Sequence, residues 1–421
     1  MQAVPYEASL IPLPGSRTMR RRLSLLLVCF QTIASQACAT RDAASSPNNP
    51  AGLRLTSIVA GNMFTCGIDR DRALWCWGGN NFGELGVGDL EDRLLPVRVL
   101  HTGPVARVTT GEERVCTVDT ASTLRCWGDN VAWALGDSII SRRSIPEILP
   151  VGHVRHVAAG SRFTCATDST GTAYCWGGDR NGELGDGGDT ISARMTRDRV
   201  ASPVAFDTIV AGRLHACGLT ADGSAWCWGA AGLSGDGSRE KRLVPVLVAG
   251  AERFRSLTAG SGVTCGITLN DAAWCWGLGS DGQLGFGAPL DNKFVPVPVA
   301  GGHRFRQLAA GYHRVCGLDR GGRAWCWGSN FNGALGDTGR LSSMGPVPVH
   351  GSRRYVTIAS GDSHACAIDK DGYAWCWGQN GIAGGGGALG DGSIEDRSFP
   401  VLVAAPDTST AAPPPGKGGE R

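Results

Sequence analysis

The chain has 421 residues and a formal net charge of +2, a near-neutral balance that excludes a nucleic-acid surface built on net charge. Its 63 glycines are far above ordinary usage and predict many tight turns. Length alone suggests two or three domains, but an internal repeat replaces that expectation with a single body over residues 53–404.

In chain order, Met19-Arg20-Arg21-Arg22 precedes Leu23, Leu25, Leu26, Leu27, Val28, Cys29 and Phe30, and small residues follow at Ala34, Ser35 and Ala37. These are the charged, apolar and small-residue regions of a secretory signal peptide, assigned to residues 1–38 with Met19 as the true start. The apolar run is too short for a membrane span. Ser35-Gln36-Ala37-Cys38 resembles a bacterial lipobox, with serine where leucine is usual, so lipid attachment at Cys38 and plain cleavage nearby are the alternatives. Cleavage before Cys38 leaves one cysteine outside the pairs described next, which a lipid would account for. Residues 39–52 are a small, polar, Pro-containing linker.

From there one unit recurs seven times. In each, a cysteine is followed ten residues later by another directly before Trp-Gly: Cys66 and Cys76, Cys116 and Cys126, Cys165 and Cys175, Cys217 and Cys227, Cys265 and Cys275, Cys316 and Cys326, Cys366 and Cys376. A glycine stands five positions ahead of each first cysteine, at Gly61, Gly111, Gly160, Gly212, Gly260, Gly311 and Gly361. In the fifth unit, apolar alternation at 256–259, 263–269 and 272–276 between Gly and Asn-Asp turn signals predicts short antiparallel strands. Setting each first cysteine opposite its second places Gly67, Thr117, Ala166, Gly218, Gly266, Gly317 and Ala367 opposite Trp75, Arg125, Tyr174, Trp226, Trp274, Trp325 and Trp375, small against large. Side chains alternate along a strand, so the tryptophans share one face and the cysteines the other. Both faces are built for burial, and a ring of sheets packed face to face covers both.

A further strand per unit carries a Pro-Val pair, at Pro96, Pro203, Pro245, Pro296, Pro346 and Pro400, with 145–151 as a degenerate copy. Proline places it on a sheet edge. The last copy, 399–403, has no counterpart ahead of the first unit, which predicts that it pairs with 55–60 and closes the ring. Residues 405–421 are a Pro/Gly-rich tail that is expected to be disordered. A buried free cysteine is the bland alternative for any one position. Seven equal spacings behind an export signal favour cross-strand disulfides, each worth roughly 2.5–3 kcal/mol in the chain-entropy model. Zinc fits poorly, because no Cys-x-x-Cys occurs and histidine does not recur with the cysteines.

The run Trp77-Gly78-Gly79-Asn80-Asn81-Phe82-Gly83-Glu84-Leu85-Gly86, seen again from Trp327 to Gly336, resembles the repeat of the regulator of chromosome condensation family over residues 53–404. The fourth unit departs from it by shortening (Trp228-Gly229-Ala230-Ala231-Gly232-Leu233-Ser234-Gly235), and the seventh by an insertion at 381–386. The cysteine pairs are a further departure and look like an exported bacterial branch. The resemblance implies an all-β fold, a seven-bladed β-propeller of four-stranded antiparallel blades. It also brings three kinds of member into view: exchange factors for a Ran-type GTPase, secreted inhibitors that cap a β-lactamase, and a plant UV-B photoreceptor that uses tryptophans. The export signal and cysteine pairs argue against the first. Packing positions explain all but Trp133 of the 13 tryptophans, which argues against the last.

No Gly-x-Ser-x-Gly, Walker-type loop or His-Glu-x-x-His occurs, so no catalytic residue, cofactor or metal ligand is assigned. Gly185-Asp186-Gly187-Gly188-Asp189 and Gly235-Asp236-Gly237 lack the ligand alternation of a calcium loop and read as turns. His215, His313 and His364, each shortly before a first cysteine, are given structural roles, and Arg142-Arg143 and 194–199 are placed in long connections as a charged rim. The expectation is an exported, monomeric, non-enzymatic propeller, in the periplasm, on the outer-membrane surface or secreted. It binds a protein or glycan through the loops of one face, with 138–150 and 187–203 as contact segments, no nucleic acid, no cofactor and membrane attachment by lipid only. Nucleotide exchange, and a lyase with a central-channel site, are the alternatives. The lyase needs a polar cluster at the channel mouth, and none is read at matching repeat positions.

Overall fold

The computed structural model describes residues 52–137, 141–188, 193–382 and 385–407. The signal segment, Cys38, nearly all of the linker and most of the tail lie outside the described residues.

Seven four-stranded antiparallel sheets succeed one another, each made of four strands in chain order. In the first, Leu55–Ala60 lines the axis, Phe64–Asp69 and Leu74–Gly78 form the central hairpin, and Arg93–Arg98 is the outer edge. The predicted register holds in every blade: each first cysteine faces its second, and the small residue after it faces Trp75, Arg125, Tyr174, Trp226, Trp274, Trp325 or Trp375. Cys66 meets Cys76, Cys116 meets Cys126, Cys165 meets Cys175 and Cys217 meets Cys227. In the same way Cys265 meets Cys275, Cys316 meets Cys326 and Cys366 meets Cys376. All seven pairs stand at bonding distance, with S–S separations of 2.04–2.11 Å and Cα atoms 4.1 Å apart. Proline lies on the outer strand of six blades, where its missing N–H costs no ladder bond.

The core is shared between neighbours. The pair Cys66 and Cys76 of blade 1 packs with Trp127 of blade 2, and the same relation links Cys116 and Cys126 to Trp176, Cys165 and Cys175 to Trp228, and Cys217 and Cys227 to Trp276. Cys265 and Cys275 meet Trp327, and Cys316 and Cys326 meet Trp377. The cycle returns when Cys366 and Cys376 of blade 7 pack with Trp77 of blade 1. Each of these indoles is almost wholly buried, and most donate Nε1–H to a carbonyl of the adjoining blade, as Trp127 does to Glu84 O at 2.8 Å and Trp77 to Ala388 O at 3.0 Å.

Three expectations are corrected. The last strand, Arg397–Leu402, does not join the first blade: it pairs with Ala374–Gly378 as the outer strand of blade 7, Cys376 opposite Val401. Each unit supplies its own four strands, so first and last blades meet as two packed sheets, joined by Leu55 N–H to Gly372 O at 2.8 Å and the bridge between Arg54 and Tyr373. In blade 3 the outer strand is Arg194–Arg199, not the Pro203-Val204 segment, with Asp198 opposite Cys175. Likewise Arg142 and Arg143 lie in the strand Arg142–Ile148, so both basic runs are blade edges and not free connections.

Trp77→Ala removes a side chain buried on both the ring seam and a cysteine pair, and it is expected to cost about 3–5 kcal/mol in denaturant unfolding.

Candidate functional site

Because successive strands reverse direction, one end of the ring gathers the first turn of each blade and the long loop after each Trp-Gly, and the other gathers the hairpin turns and the links between blades. The seven innermost strands wall a central channel of about 540 Å³. At the loop end it adjoins a cup of about 700 Å³.

The cysteines line neither space. All fourteen cysteines of the repeats are fully buried inside the blades. The second of each pair is walled off further by the outer strand: Cys76, Cys227, Cys275, Cys326 and Cys376 each stand opposite a valine there, Cys126 opposite Glu147 and Cys175 opposite Asp198. They build the scaffold and are not placed to meet a ligand.

The recurrent glycines build the rim between channel and cup. A Cβ on Gly111, Gly160, Gly212, Gly260, Gly311 or Gly361 would lie 2.1–2.7 Å from the carbonyl oxygen of the next blade's glycine, closer than any side chain tolerates. The backbones nest for that reason, and N–H groups cross the blades: Asn62 to Glu112 O at 3.0 Å, Arg213 to Gly260 O at 3.2 Å and Asp362 to Gly61 O at 3.1 Å. Three residues past the glycine, a buried polar side chain in four of the blades bonds the next blade. The Arg114 guanidinium donates to Gly160 O, Ser161 O and Phe163 O at 2.7, 2.8 and 2.6 Å, and Arg314 reaches the equivalent carbonyls of Gly361, Asp362 and His364. His215 and His364 bond Thr264 and Thr65 Oγ1 through Nε2 at 2.6 and 2.7 Å. Burial pushes these imidazoles down to about 4 and about 3, so they stay neutral. Their structural role stands, while His313, one position out of register, is half-exposed and pairs with Asp281 at 3.0 Å.

The residue after each rim glycine lines the channel mouth: Asn62, Glu112, Ser161, Arg213, Ser261, Tyr312 and Asp362. The sequence therefore does place a polar cluster at matching repeat positions, contrary to expectation. Their signal in the sequence is the variable residue that directly follows each recurrent glycine. Glu112 Oε1 binds Arg213 Nη1 at 3.0 Å, Glu112 Oε2 accepts from Ser161 Oγ, and the Arg213 guanidinium sits over the Tyr312 ring, 5.2 Å from its centroid. Burial, then Asp129, Glu112 and Asp362, push Glu113 up to about 7. Burial and Glu112 push Asp362 up to about 6 against the pull of Arg314 and Arg213, and burial raises Asp129.

Around this cup the apolar side chains are unusually placed. Phe331 is 71% exposed and Val131 44% exposed, both lining it. Trp133, 37% exposed, occupies the loop position that is Gly83, Gly182, Gly282 and Gly333 elsewhere, and it keeps their positive φ, at 61°. A bulky residue in that conformation is strained.

Of the expected contact segments, residues 138–140 and 189–192 lie outside the described residues. The Asp turns are explained by pairing: Asp236 holds Arg242 at 2.7 Å, Asp186 holds Arg194 at 3.3 Å, and Asp391 holds Arg397 at 3.1 Å. Among the described residues no His, Cys, Asp and Glu side chains are grouped to hold a metal.

Two models of the regulator of chromosome condensation (RCC1) repeat match the chain, one at residues 55–84, 154–183, 206–235, 305–334 and 355–381, the other at 72–118 and 270–318, together about half of it. Among curated proteins, the ultraviolet-B receptor UVR8 of Arabidopsis thaliana is 42% identical over 52 residues, and the match spans 12% of this chain and 12% of that receptor's length. Among solved structures, human WBSCR16 superposes with a TM-score of 0.70 at 19% identity, covering 79% of this chain and 94% of that one. Prp20p of Saccharomyces cerevisiae gives a TM-score of 0.70 at 22% identity over 85% and 88%. These two share the fold.

Gly260→Ala forces a Cβ against the Gly311 carbonyl, and it is expected to destabilise the ring by about 1–3 kcal/mol in thermal or denaturant unfolding. Glu113 has a raised folded-state pKa, so its contribution to stability is complete in acid and is lost as pH climbs through about 7. Glu113→Gln should therefore melt higher than the parent at pH 8, with the gap closing toward pH 5.

Proposed function

The chain belongs to the regulator of chromosome condensation repeat family, and from that membership we propose that it is an exported, non-enzymatic binding protein that docks a protein partner on the cup end of its propeller. The observation that carries this is Trp133. A tryptophan held more than a third exposed in a backbone conformation that the other repeats reserve for glycine carries a cost in stability that glycine at that position would avoid. Phe331 and Val131 line a charged, rigid-rimmed cup, and Trp133 lies in the same short turn as Val131, which gives the mixture of aromatic anchors and polar groups found at interface hot spots. Prp20p, a structural relative, is described with binding properties to Gsp1p and histones, and protein binding carries over here as a class of task, not as those partners.

Export is supported by the signal-like segment and by seven cysteine pairs at bonding distance, which suit an oxidising compartment. We take these pairs to be disulfides, each closed within its own hairpin, and Cys38 to be lipidated or removed with the leader. A second reading, a channel-mouth enzyme, is favoured by the raised carboxyls of Glu113 and Asp362 beside Tyr312. The salt bridge between Glu112 and Arg213 weighs against it, because it commits two of the charged groups at the mouth to each other.

Two measurements test the proposal. Trp133→Gly should unfold no more easily than the parent, or less easily by up to about 1 kcal/mol, yet together with Phe331→Ala it should lose the partners that the parent chain recovers from envelope extracts of its host. Equal recovery by parent and variant, or turnover of polysaccharide or peptide by the purified chain, would overturn it. Peptide mapping without reduction should find seven linkages, each joining the two cysteines of one unit, Cys66 to Cys76 through Cys366 to Cys376; free thiols throughout would remove the support for export.

A further inference from the structure

The end of the ring opposite the cup carries a pattern visible only when the blades are aligned. The residue twelve positions ahead of each first cysteine, at the start of the innermost strand, is Arg54, Pro104, His153, Ala205, Arg253, Arg304 and Arg354 in blades 1 to 7. The second residue of each central hairpin turn is Arg70, Thr120, Ser169, Ala221, Leu269, Arg320 and Lys370. Seven cations thus fall on blades 5, 6, 7 and 1, which are consecutive around the closed ring, and none on blades 2 to 4. All seven are exposed.

Local bonds orient this arc and neutralise only part of it: Arg320 pairs with Asp271, Lys370 with Asp371 at 2.8 Å and Arg253 with Asp222 at 3.8 Å, while Arg54, Arg70, Arg304 and Arg354 form no ion pair among the described residues. Arg304 donates to Asn270 O at 3.1 Å, and Arg320 N–H to Arg304 O at 3.2 Å, so blades 5 and 6 are in contact through it. Arg255 and Arg320 share one carboxylate, that of Asp271. Arg306 is held by the carbonyls of Tyr355 and Val356, and Arg54 by the Tyr373 hydroxyl at 3.1 Å. A carbonyl orients a guanidinium but leaves its charge intact. Blade 3 shows the contrast: Arg155, at the repeat position of Arg255 and Arg306, is cancelled by Asp207 of blade 4 at 2.7 Å.

We propose that this arginine arc on blades 5, 6, 7 and 1 is a docking surface for an anionic polysaccharide. The cations recur with the blade, which matches a ligand whose acidic groups recur along its length. Asp71, Asp271 and Asp371 stand in the same turns. They would repel a polyphosphate backbone, whereas sugar hydroxyls donate hydrogen bonds to carboxylates while uronate or sulfate groups accept from arginine.

The test is retention of the full chain on immobilised polygalacturonate and on immobilised heparin across a salt gradient, with double-stranded DNA and anionic phospholipid vesicles as competitors. Arg304→Gln/Arg354→Gln/Lys370→Gln is compared with Arg180→Gln/Arg239→Gln/Arg340→Gln, which removes three exposed charges from loops at the cup end. The arc variant should bind either polysaccharide roughly tenfold or more weakly at low salt and elute earlier, while the loop variant behaves as the parent and both melt with it. Equal losses in the two variants, no retention of the parent on either polysaccharide, or displacement by DNA or vesicles in preference to soluble polysaccharide would each overturn the proposal.

Discussion

Every junction in the ring is an indole of one blade laid on the cysteine pair of the blade before it. The contact needs two unlike faces on each sheet, a tryptophan face and a sulfur face, and the spacing of ten residues with Trp-Gly behind the second cysteine supplies both from a single hairpin. A sheet made this way is apolar on each side and has no solvent face, so it is stable only between two others. Seven such sheets run out of uncovered faces only when the last meets the first, which Trp77 accomplishes with Cys366 and Cys376.

That relation was legible in the sequence because it depends on distances within one hairpin. The register of all seven hairpins, down to glycine opposite tryptophan, follows from counting. Where Arg125 replaces the tryptophan of its position, it reaches Asp119 at 2.6 Å, the carboxylate that corresponds to the one Trp75 bonds in blade 1. What counting missed lies across hairpins or across blades. The outer strand is joined by a loop of variable length, so Pro203-Val204 misled where Arg194–Arg199 pairs instead. The closing strand was misplaced because the chain ends leave its partner undetermined by local rules, and only the pairing of Cys376 with Val401 decides it.

The mouth of the channel was missed for a related reason. Asn62, Glu112, Arg213, Tyr312 and Asp362 share a repeat position but not a chemistry, and a search for recurring residue types passes over a position whose content varies. Variation there is what a binding surface requires, since the glycine beside it carries the architecture and leaves its neighbour free. The overall charge of +2 conceals a similar division: carboxyls raised by burial and mutual repulsion gather at the channel mouth, and an arc of exposed cations lies at the opposite end. A scaffold that separates them presents two different surfaces from one near-neutral chain.

The absence of a shared strand at the seam has a topological consequence. Since each unit completes its own sheet, the junction between blades 7 and 1 is chemically of the same kind as the other six, and the segment after the last strand crosses it so that Asp407 N–H reaches Pro96 O at 3.1 Å. Beginning and end therefore meet at an ordinary boundary. A circularly permuted gene, cut between any two units and spliced through the old termini, encodes the same ring, and growth or loss of the molecule by whole-unit duplication needs no rearrangement of a special clasp.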